Sequence, residues 1–270
     1  MPELKPYNGD YYLWQYVPSL AASIIFLCLF TFLTAAHCWR MWKIRSWFCI
    51  SFCIGGLLEI IGYAARAACY TDTSNLISYC IQNVFILLGP LFFAASVYMA
   101  LGRIVRGIRA EKYSPIRLRW LTRTFVSSDV ISFLVQGTGA GMMSTGGNFA
   151  GVAKAIVITG LVIQVIMFGF FFVTLRICDQ RIKDNVPTAI SIRKTHLLPL
   201  YIICALIMVR SIFRVIEYAM GQTGYLLSHE WSMYIFDSVL MFCVMAVWIV
   251  RHPGCLQSDA QDENLDFEDA

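Results

Sequence analysis

Residues 197–219 read LLPLYIICALIMVRSIFRVIEYA, an apolar run that is interrupted near its end by Arg210, Arg214 and Glu217. A helix of about 20 predominantly apolar residues crosses the hydrocarbon of a bilayer, so this run predicts a membrane span. A charged side chain within hydrocarbon is costly, and it usually faces a polar interior that handles ions or substrate. The same stretch therefore predicts both a membrane helix and a polar site inside the protein.

Six further apolar stretches accompany this one, and the composition agrees with a membrane protein. Hydrophobic residues make up 58% and charged residues 14% of the 270 residues, whereas soluble domains have about 45–50% and about 25%. Seven spans with short connections use nearly the whole length, so we expect one compact helical domain. The predicted spans are Val17–Ala36, Ser46–Ala68, Leu76–Leu101, Leu121–Ser144, Val152–Ile177, Leu197–Ala219 and Trp231–Val250.

The charge of the connections predicts how the chain lies in the membrane. His37–Arg45, Gly102–Trp120 and Arg176–His196 are rich in Lys and Arg, whereas Cys69–Asn75 and Met220–Glu230 contain neither. Cytosolic connections of membrane proteins carry the excess of Lys and Arg. The sequence therefore predicts an all-α polytopic membrane protein with seven transmembrane helices, its N-terminus outside the cell and its C-terminus in the cytosol.

Three regions follow from this topology. Residues 1–15 are predicted to be an extracellular segment, because the first twelve lack the apolar core of a cleavable signal peptide. Residues 16–251 form the predicted seven-helix membrane domain. Residues 252–270 are acidic and poor in apolar side chains, so we expect a disordered cytosolic tail. The basic connections predict contacts with anionic lipid headgroups. Binding of nucleic acid would need a soluble basic face, which the sequence does not suggest.

The polar residues inside the spans follow helical spacing. Glu59 and Arg66 lie on one face of the second span, seven residues apart, and Glu217 can pair with Arg214 three residues earlier. We expect a hydrated or ion-paired cavity open toward the outer leaflet; alternatively, these pairs only fix the register of the bundle. The candidate substrate-binding or translocation residues are Glu59, Arg66, Gln82, Asp129, Gln136, Gln164, Arg210, Arg214, Glu217 and Asp237.

Proline and glycine residues within the spans carry further expectations. Pro90 removes a backbone hydrogen bond from the third span and is predicted to kink it. Gly55 and Gly56 in the second span, and Gly137 and Gly141 in the fourth, are predicted to let helices approach closely. A gating hinge is the alternative role for these positions.

The cysteines and histidines argue against catalysis. Cys69 and Cys80 fall at the outer ends of adjacent spans, where either a disulfide in an oxidising compartment or two thiols would fit. No His-x-x-x-His pair and no cysteine pair with zinc spacing occurs, and a phosphate-binding Gly-x-x-x-x-Gly-Lys loop is absent. We therefore expect no metal, no cofactor and no enzymatic activity.

Several polar stretches, taken in order and with their spacing, resemble the fungal Rta-like family. Its members are often called lipid-translocating exporters, and the family is named for resistance to aminocholesterol. The resemblance runs from about Tyr11 to Arg251. The stretches that carry it include Glu59-Ile-Ile-Gly-Tyr-Ala-Ala-Arg66, Asp129-Val-Ile-Ser-Phe-Leu-Val-Gln136, Gly160-Leu-Val-Ile-Gln164 and Arg210-Ser-Ile-Phe-Arg214-Val-Ile-Glu217-Tyr218.

This resemblance implies a function and a location. Family members are linked to translocation of sphingoid long-chain bases, to resistance against amphipathic toxins and, in some cases, to porphyrin handling. We expect an exporter-like protein whose partners are membrane lipids and amphipathic small molecules. We expect the protein to reside in the plasma membrane; the alternatives are other fungal membranes such as those of the vacuole or the endoplasmic reticulum. The alternative is a seven-helix sensor or signalling protein that alters lipid asymmetry indirectly.

Overall fold

The computed structural model describes residues 14, 16–71, 73–107, 118–144, 150–185, 190–221, 224, 226 and 229–250. Within these ranges the regular structure is entirely helical, which confirms the predicted all-α fold. A short 3-10 turn, Trp47–Cys49, precedes the second of seven long helices. The helices are α1 Leu20–Ile44, α2 Ile50–Cys69, α3 Leu76–Gly107, α4 Leu118–Ser144, α5 Ala150–Asn185, α6 Ile190–Met220 and α7 Glu230–Val250.

Two predicted regions fall largely outside this description. Of the expected extracellular segment 1–15, only residue 14 is described, and the expected acidic tail 252–270 lies wholly outside the described residues. The basic connection between α3 and α4 is likewise described only up to residue 107 and from residue 118. The predictions for these segments stay predictions.

Six of the seven helices are long and apolar enough to cross a membrane. The exception among the described helices is α4, although its 27 residues would extend about 40 Å and so match the bilayer thickness. This helix falls short in apolar content because Asp129, Gln136 and several Ser, Thr and Gly residues interrupt it. The chain is thus a polytopic helical membrane protein.

The helices continue past the predicted spans at their Lys- and Arg-rich ends. Helix α1 runs to Ile44, α3 to Gly107 and α5 to Asn185, each six to eight residues beyond the predicted end. Helix α6 begins at Ile190, seven residues earlier than predicted. Hydropathy marks where apolar residues stop, but Lys and Arg are good helix formers that carry a helix beyond the hydrocarbon.

Helix α3 occupies the centre of the bundle. It contacts α2, α4 and α6, while α7 closes the bundle by packing on both α6 and α1. Of the six helices that can cross a membrane, α3 is the most buried: 67% of its most apolar 18-residue stretch lies inside the bundle. Large exposed side chains such as Phe32, Ile131, Ile166 and Ile235 form an apolar outer surface. The bundle is therefore apolar outside, with charged side chains such as Arg66 and Asp237 buried in its interior.

Glycines set the closest helix contacts, though not all at the predicted positions. A methyl group built on Gly55 would lie 2.9 Å from the carbonyl oxygen of Gly89, so α2 and α3 pack backbone to backbone. The expectation for Gly137 is wrong, because among the described residues nothing lies within 4 Å of such a group there, and the expectation for Gly141 stays a prediction. In α4 it is Gly139 that packs against α5. Spacing alone does not tell which face of α4 meets its neighbour.

Candidate functional site

An ion-pair cluster joins α6 to α7 in the bundle interior. Asp237 of α7 is 1% exposed, and its two carboxylate oxygens accept hydrogen bonds from Arg210 and Arg214 of α6. Arg214 Nη1 also donates to Glu217 Oε2 at 3.0 Å, which confirms the predicted pair. Two guanidinium groups and two carboxylates balance, so this part of the cluster is neutral.

Helix α7 has a wide turn where Asp237 lies. Residues Tyr234–Val239 form a π-helical turn between the α-helical segments Glu230–Met233 and Leu240–Val250. Single π turns inside α-helices occur frequently at functional sites. No Pro or Gly marks this turn in the sequence, so residue type offered no signal for it.

Pro90 of α3 links the central helix to this cluster. Proline has no backbone N–H, so the carbonyl of Ile86, four residues earlier, lacks its usual helical donor. Arg210 Nη2 donates to that carbonyl at 3.2 Å. In membrane helices such freed backbone groups must find another partner, because water is absent. Pro90 therefore supplies a backbone acceptor to a buried guanidinium, and the predicted kink of α3 stays a prediction.

Glu59 of α2 lies beside the cluster without joining its ion pairs. The residue is 1% exposed, and its Oε1 has no hydrogen-bond partner among the described residues. It is close enough to interact electrostatically with Asp237, Arg210 and Arg214. A methyl group built on Gly89 of α3 would lie 2.6 Å from Glu59 Oε1, so a glycine leaves the room that this carboxyl occupies.

A second ion pair lies about 10 Å along α2 from Glu59, at the end of the helix that we predict to be extracellular. Arg66 is fully buried, and its Nη2 donates to Glu230 Oε1 of α7 at 2.6 Å. The Glu230 carboxylate also accepts the backbone N–H of Ser19, at 2.8 Å and 3.0 Å from its two oxygens. This pair ties together α1, α2 and α7.

Aromatic rings surround the Arg66 guanidinium. Its central carbon lies 5.4 Å, 5.9 Å and 5.2 Å from the ring centroids of Trp14, Tyr16 and Tyr234. The hydroxyl oxygens of Tyr16 and Tyr234 accept hydrogen bonds from Arg66 at 3.3 Å and 3.0 Å. Such cation–π contacts stabilise a desolvated cation. Sequence reasoning did not assign these aromatic residues to the site.

Hydroxyl groups connect the two ion-pair regions. The hydroxyls of Tyr63 on α2 and Ser238 on α7 form a hydrogen bond. Ser238 directly follows Asp237 in the sequence. Tyr234 Oη is also 3.1 Å from Ser23 Oγ of α1. Tyr63 and Tyr234 both stack on Phe26, with centroid separations of 5.8 Å and 5.3 Å. The i, i+4 spacing of Tyr63 from Glu59 was the one sequence signal for this bridge.

Three of the remaining predicted residues lie in separate contacts of α4, and Gln82 lies on α3. The Tyr98 hydroxyl of α3 donates to Asp129 Oδ2 at 2.8 Å, and Gln136 Nε2 donates to Gln164 Oε1 of α5 at 3.0 Å. Gln82 of α3 is buried, and its Oε1 has no partner among the described residues. The two hydrogen bonds join α4 to α3 and α5, whereas Gln82 lies on α3. Among the described residues, neither hydrogen bond includes a member of the ion-pair cluster.

The structure thus divides the predicted site in three. Glu59, Arg210, Arg214, Glu217 and Asp237 lie together. Arg66 pairs with Glu230, which was not among the predicted site residues, and the α4 contacts form the third group. For Cys69 and Cys80 both alternatives, a disulfide or two thiols, stay predictions; the first cysteine is buried and the second exposed.

Comparisons with known proteins agree on one family. The family model described as "RTA1 like protein" matches residues 52–260. Protein RTM1 of Saccharomyces cerevisiae is 36% identical over 200 residues, covering 73% of this chain and 64% of its own length. No solved structure matches the chain significantly.

Two further relatives have names that describe a cargo. Protoporphyrin uptake protein 1 of Saccharomyces cerevisiae (strain ATCC 204508 / S288c) is 29% identical over 289 residues, covering 90% of this chain and 92% of its own length. Sphingoid long-chain base transporter RSB1 of Saccharomyces cerevisiae (strain Lalvin EC1118 / Prise de mousse) is 24% identical over 281 residues, covering 88% and 72%. Of the first two relatives, Protein RTM1 and Protein RTA1, the chain spans 64% and 65% of the length.

Proposed function

Because this chain belongs to the RTA1-like protein family, we propose that it moves amphipathic lipids, with sphingoid long-chain bases as the preferred class, between leaflets or out of the cell. Relatives named for transport and uptake support a role in membrane transport at a general level. In this proposal the protein resides in the plasma membrane and confers resistance to amphipathic toxins. Its seven helices all span the bilayer, with the N-terminus outside and the C-terminus in the cytosol.

The observation that carries the proposal is the state of Glu59. Every other carboxylate around α6 and α7 is held by an arginine, since Asp237 accepts from two and Glu217 from one. Glu59 is buried among them, and its Oε1 accepts no hydrogen bond from the described residues. A buried carboxylate is costly unless it meets a cation or a donor. The cationic amine of a long-chain base supplies both.

A second unsatisfied group fits the same headgroup. Arg214 Nε is buried and has no acceptor among the described residues. Glu59 therefore offers an acceptor and Arg214 a donor, and the two side chains are close enough to interact electrostatically. Sphingoid bases carry an amine next to hydroxyl groups. The amine can donate a hydrogen bond to Glu59, and a hydroxyl can accept one from Arg214. The apolar tail would stay in the surrounding hydrocarbon while the headgroup crosses the polar interior.

The test is leaflet exchange in liposomes that contain the purified protein. We expect faster exchange of a fluorescent long-chain base than in empty liposomes, and less effect on a fluorescent phospholipid. Glu59→Gln should remove most of the acceleration, because the amide keeps the shape of the side chain but not its charge. Asp184→Asn, an exposed acid near the end of α5, is the matched control and should exchange normally.

Two results would overturn the proposal. Exchange equal to that of empty liposomes, in protein shown to be folded, would favour the sensor that alters lipid asymmetry indirectly. Normal exchange in Glu59→Gln would show that the headgroup path does not use this carboxyl.

A further inference from the structure

The charges around Glu59 do not balance if it is ionised. Arg210 and Arg214 of α6 contribute two positive charges, and Asp237 and Glu217 contribute two negative charges through direct ion pairs. An ionised Glu59 would add a third negative charge to a closed, buried group. Both arginines already donate to other carboxylates, so its ionisation would be uncompensated within this cluster.

Among the described residues, no other cation that could compensate is known to face Glu59. From its own helix it faces the Tyr63 hydroxyl, from α3 the backbone at Gly89, from α6 the two arginines and from α7 Asp237. Arg66, the next cation on α2, lies about 10 Å away and is held by Glu230. With Glu217, which pairs with Arg214, three acids (Glu59, Asp237 and Glu217) thus share two bases, Arg210 and Arg214, while Arg66 and Glu230 balance each other.

We propose that Glu59 is a proton-binding site, and that the empty protein exchanges this proton for the ammonium group of its lipid. The exchange rests on the proposed function, whereas the proton site rests on geometry alone. In the empty state Glu59 is a neutral acid. When an ammonium headgroup enters, the O–H bond of the acid breaks and the proton leaves to water. The carboxylate then pairs with the ammonium, so the net charge of the interior is unchanged.

This exchange has a direct consequence for transport. Each cationic headgroup that enters releases one proton, and the proton returns when the headgroup leaves. The two faces of the membrane therefore need not be equivalent, because a pH difference biases where the headgroup is released. The site would couple movement of an amine-bearing lipid to a proton gradient and leave zwitterionic phospholipids unaffected.

Infrared spectroscopy of the purified protein in detergent at neutral pH tests the proton site without any lipid movement. A protonated carboxylic acid has a C=O stretch that is well separated from that of a carboxylate. We expect this band in the wild-type protein, its loss in Glu59→Gln and its retention in Asp184→Asn, where the replaced acid is exposed and lies outside the cluster. Glu59→Asp keeps an acid at this position and should retain a band. A wild-type spectrum that matches Glu59→Gln in this region would overturn the proton site.

Octylamine then tests the exchange, with octanol as the uncharged control of equal chain length. We expect octylamine to abolish the Glu59 band and to release one proton per amine bound, measured in weakly buffered solution. Octanol should do neither. A band that persists at saturating octylamine would overturn the exchange. A failure of lipid movement in liposomes, with both spectroscopic results intact, would instead overturn the proposed function.

Discussion

Replacing Asp237 with asparagine should destabilise the bundle, because this one carboxylate holds two buried guanidinium groups. Removing one partner of a buried ion pair costs about 3–5 kcal/mol, since the other charge is left uncompensated. Arg210 would keep the carbonyl of Ile86 at 3.2 Å, and Arg214 would keep Glu217 at 3.0 Å. We therefore expect a loss near the lower end, about 3 kcal/mol.

The free energy of unfolding can be measured by titrating the folded protein with SDS in mixed micelles and following its helical signal. Asp184→Asn is the matched control: it makes the same chemical change at an exposed position, and should lie within about 0.5 kcal/mol of wild type. Combining Asp237→Asn with Arg214→Gln should cost about 0.5–3 kcal/mol less than the sum of the single changes. The reason is that both changes remove the same ion pair, between Arg214 and Asp237.

Two outcomes would refute this reasoning. If Asp237→Asn and Asp184→Asn destabilise the protein equally, the carboxylate does not hold the α6 arginines. If the double change costs the full sum, Asp237 and Arg214 act independently.

In addition, Asp237→Asn should abolish the infrared band of Glu59, because the cluster then lacks a negative charge that Glu59 can supply by ionising.

Three further changes test the rest of the site. Gly89→Ala should slow lipid exchange severalfold by displacing the neighbouring carboxyl, whereas Gly102→Ala on the same helix, with open space around it among the described residues, should not. Pro90→Ala should change the unfolding free energy by less than about 1.5 kcal/mol, because regaining a helical bond offsets a lost guanidinium contact; a gain near 3 kcal/mol would contradict this. Glu230→Gln should cost about 1.5–3 kcal/mol in the same titration, through loss of a charge-assisted bond, and an unchanged value would contradict the pairing.

The helical fold was predictable because hydropathy reports directly on what a bilayer requires. All seven predicted spans coincide with long helices, and Glu59, Arg66 and Asp237 are buried as their positions suggested. What hydropathy cannot report is where a helix ends outside the hydrocarbon. The Lys- and Arg-rich ends of α1, α3 and α5 continue as helix because these residues favour it. In α3 the helix continues through Gly102 and ends at Gly107.

The pairing of charges was less predictable. Spacing along one helix fixes which residues share a face and roughly at what depth, so the Arg214–Glu217 pair could be foreseen. It does not fix how neighbouring helices are rotated. Glu230 stands at the start of α7 and reads as a rim residue, yet it reaches Arg66. The role of Pro90 was equally hidden, because it depends on a contact between helices. The carbonyl that Pro90 frees lies on α3, but its hydrogen-bond donor, Arg210, lies on α6.

The Arg66–Glu230 pair is the reason that Glu59 is left with a proton to bind. In sequence, Glu59 and Arg66 look like natural partners on one stripe of α2, and such a pair would make the interior neutral without a proton. Their separation of about 10 Å along the helix prevents direct contact. Arg66 instead pairs with Glu230 near the end of α2, where the aromatic rings of Trp14, Tyr16 and Tyr234 surround it. The acid one level deeper therefore stays unmatched, and an unmatched buried acid can bind either a proton or a cationic headgroup.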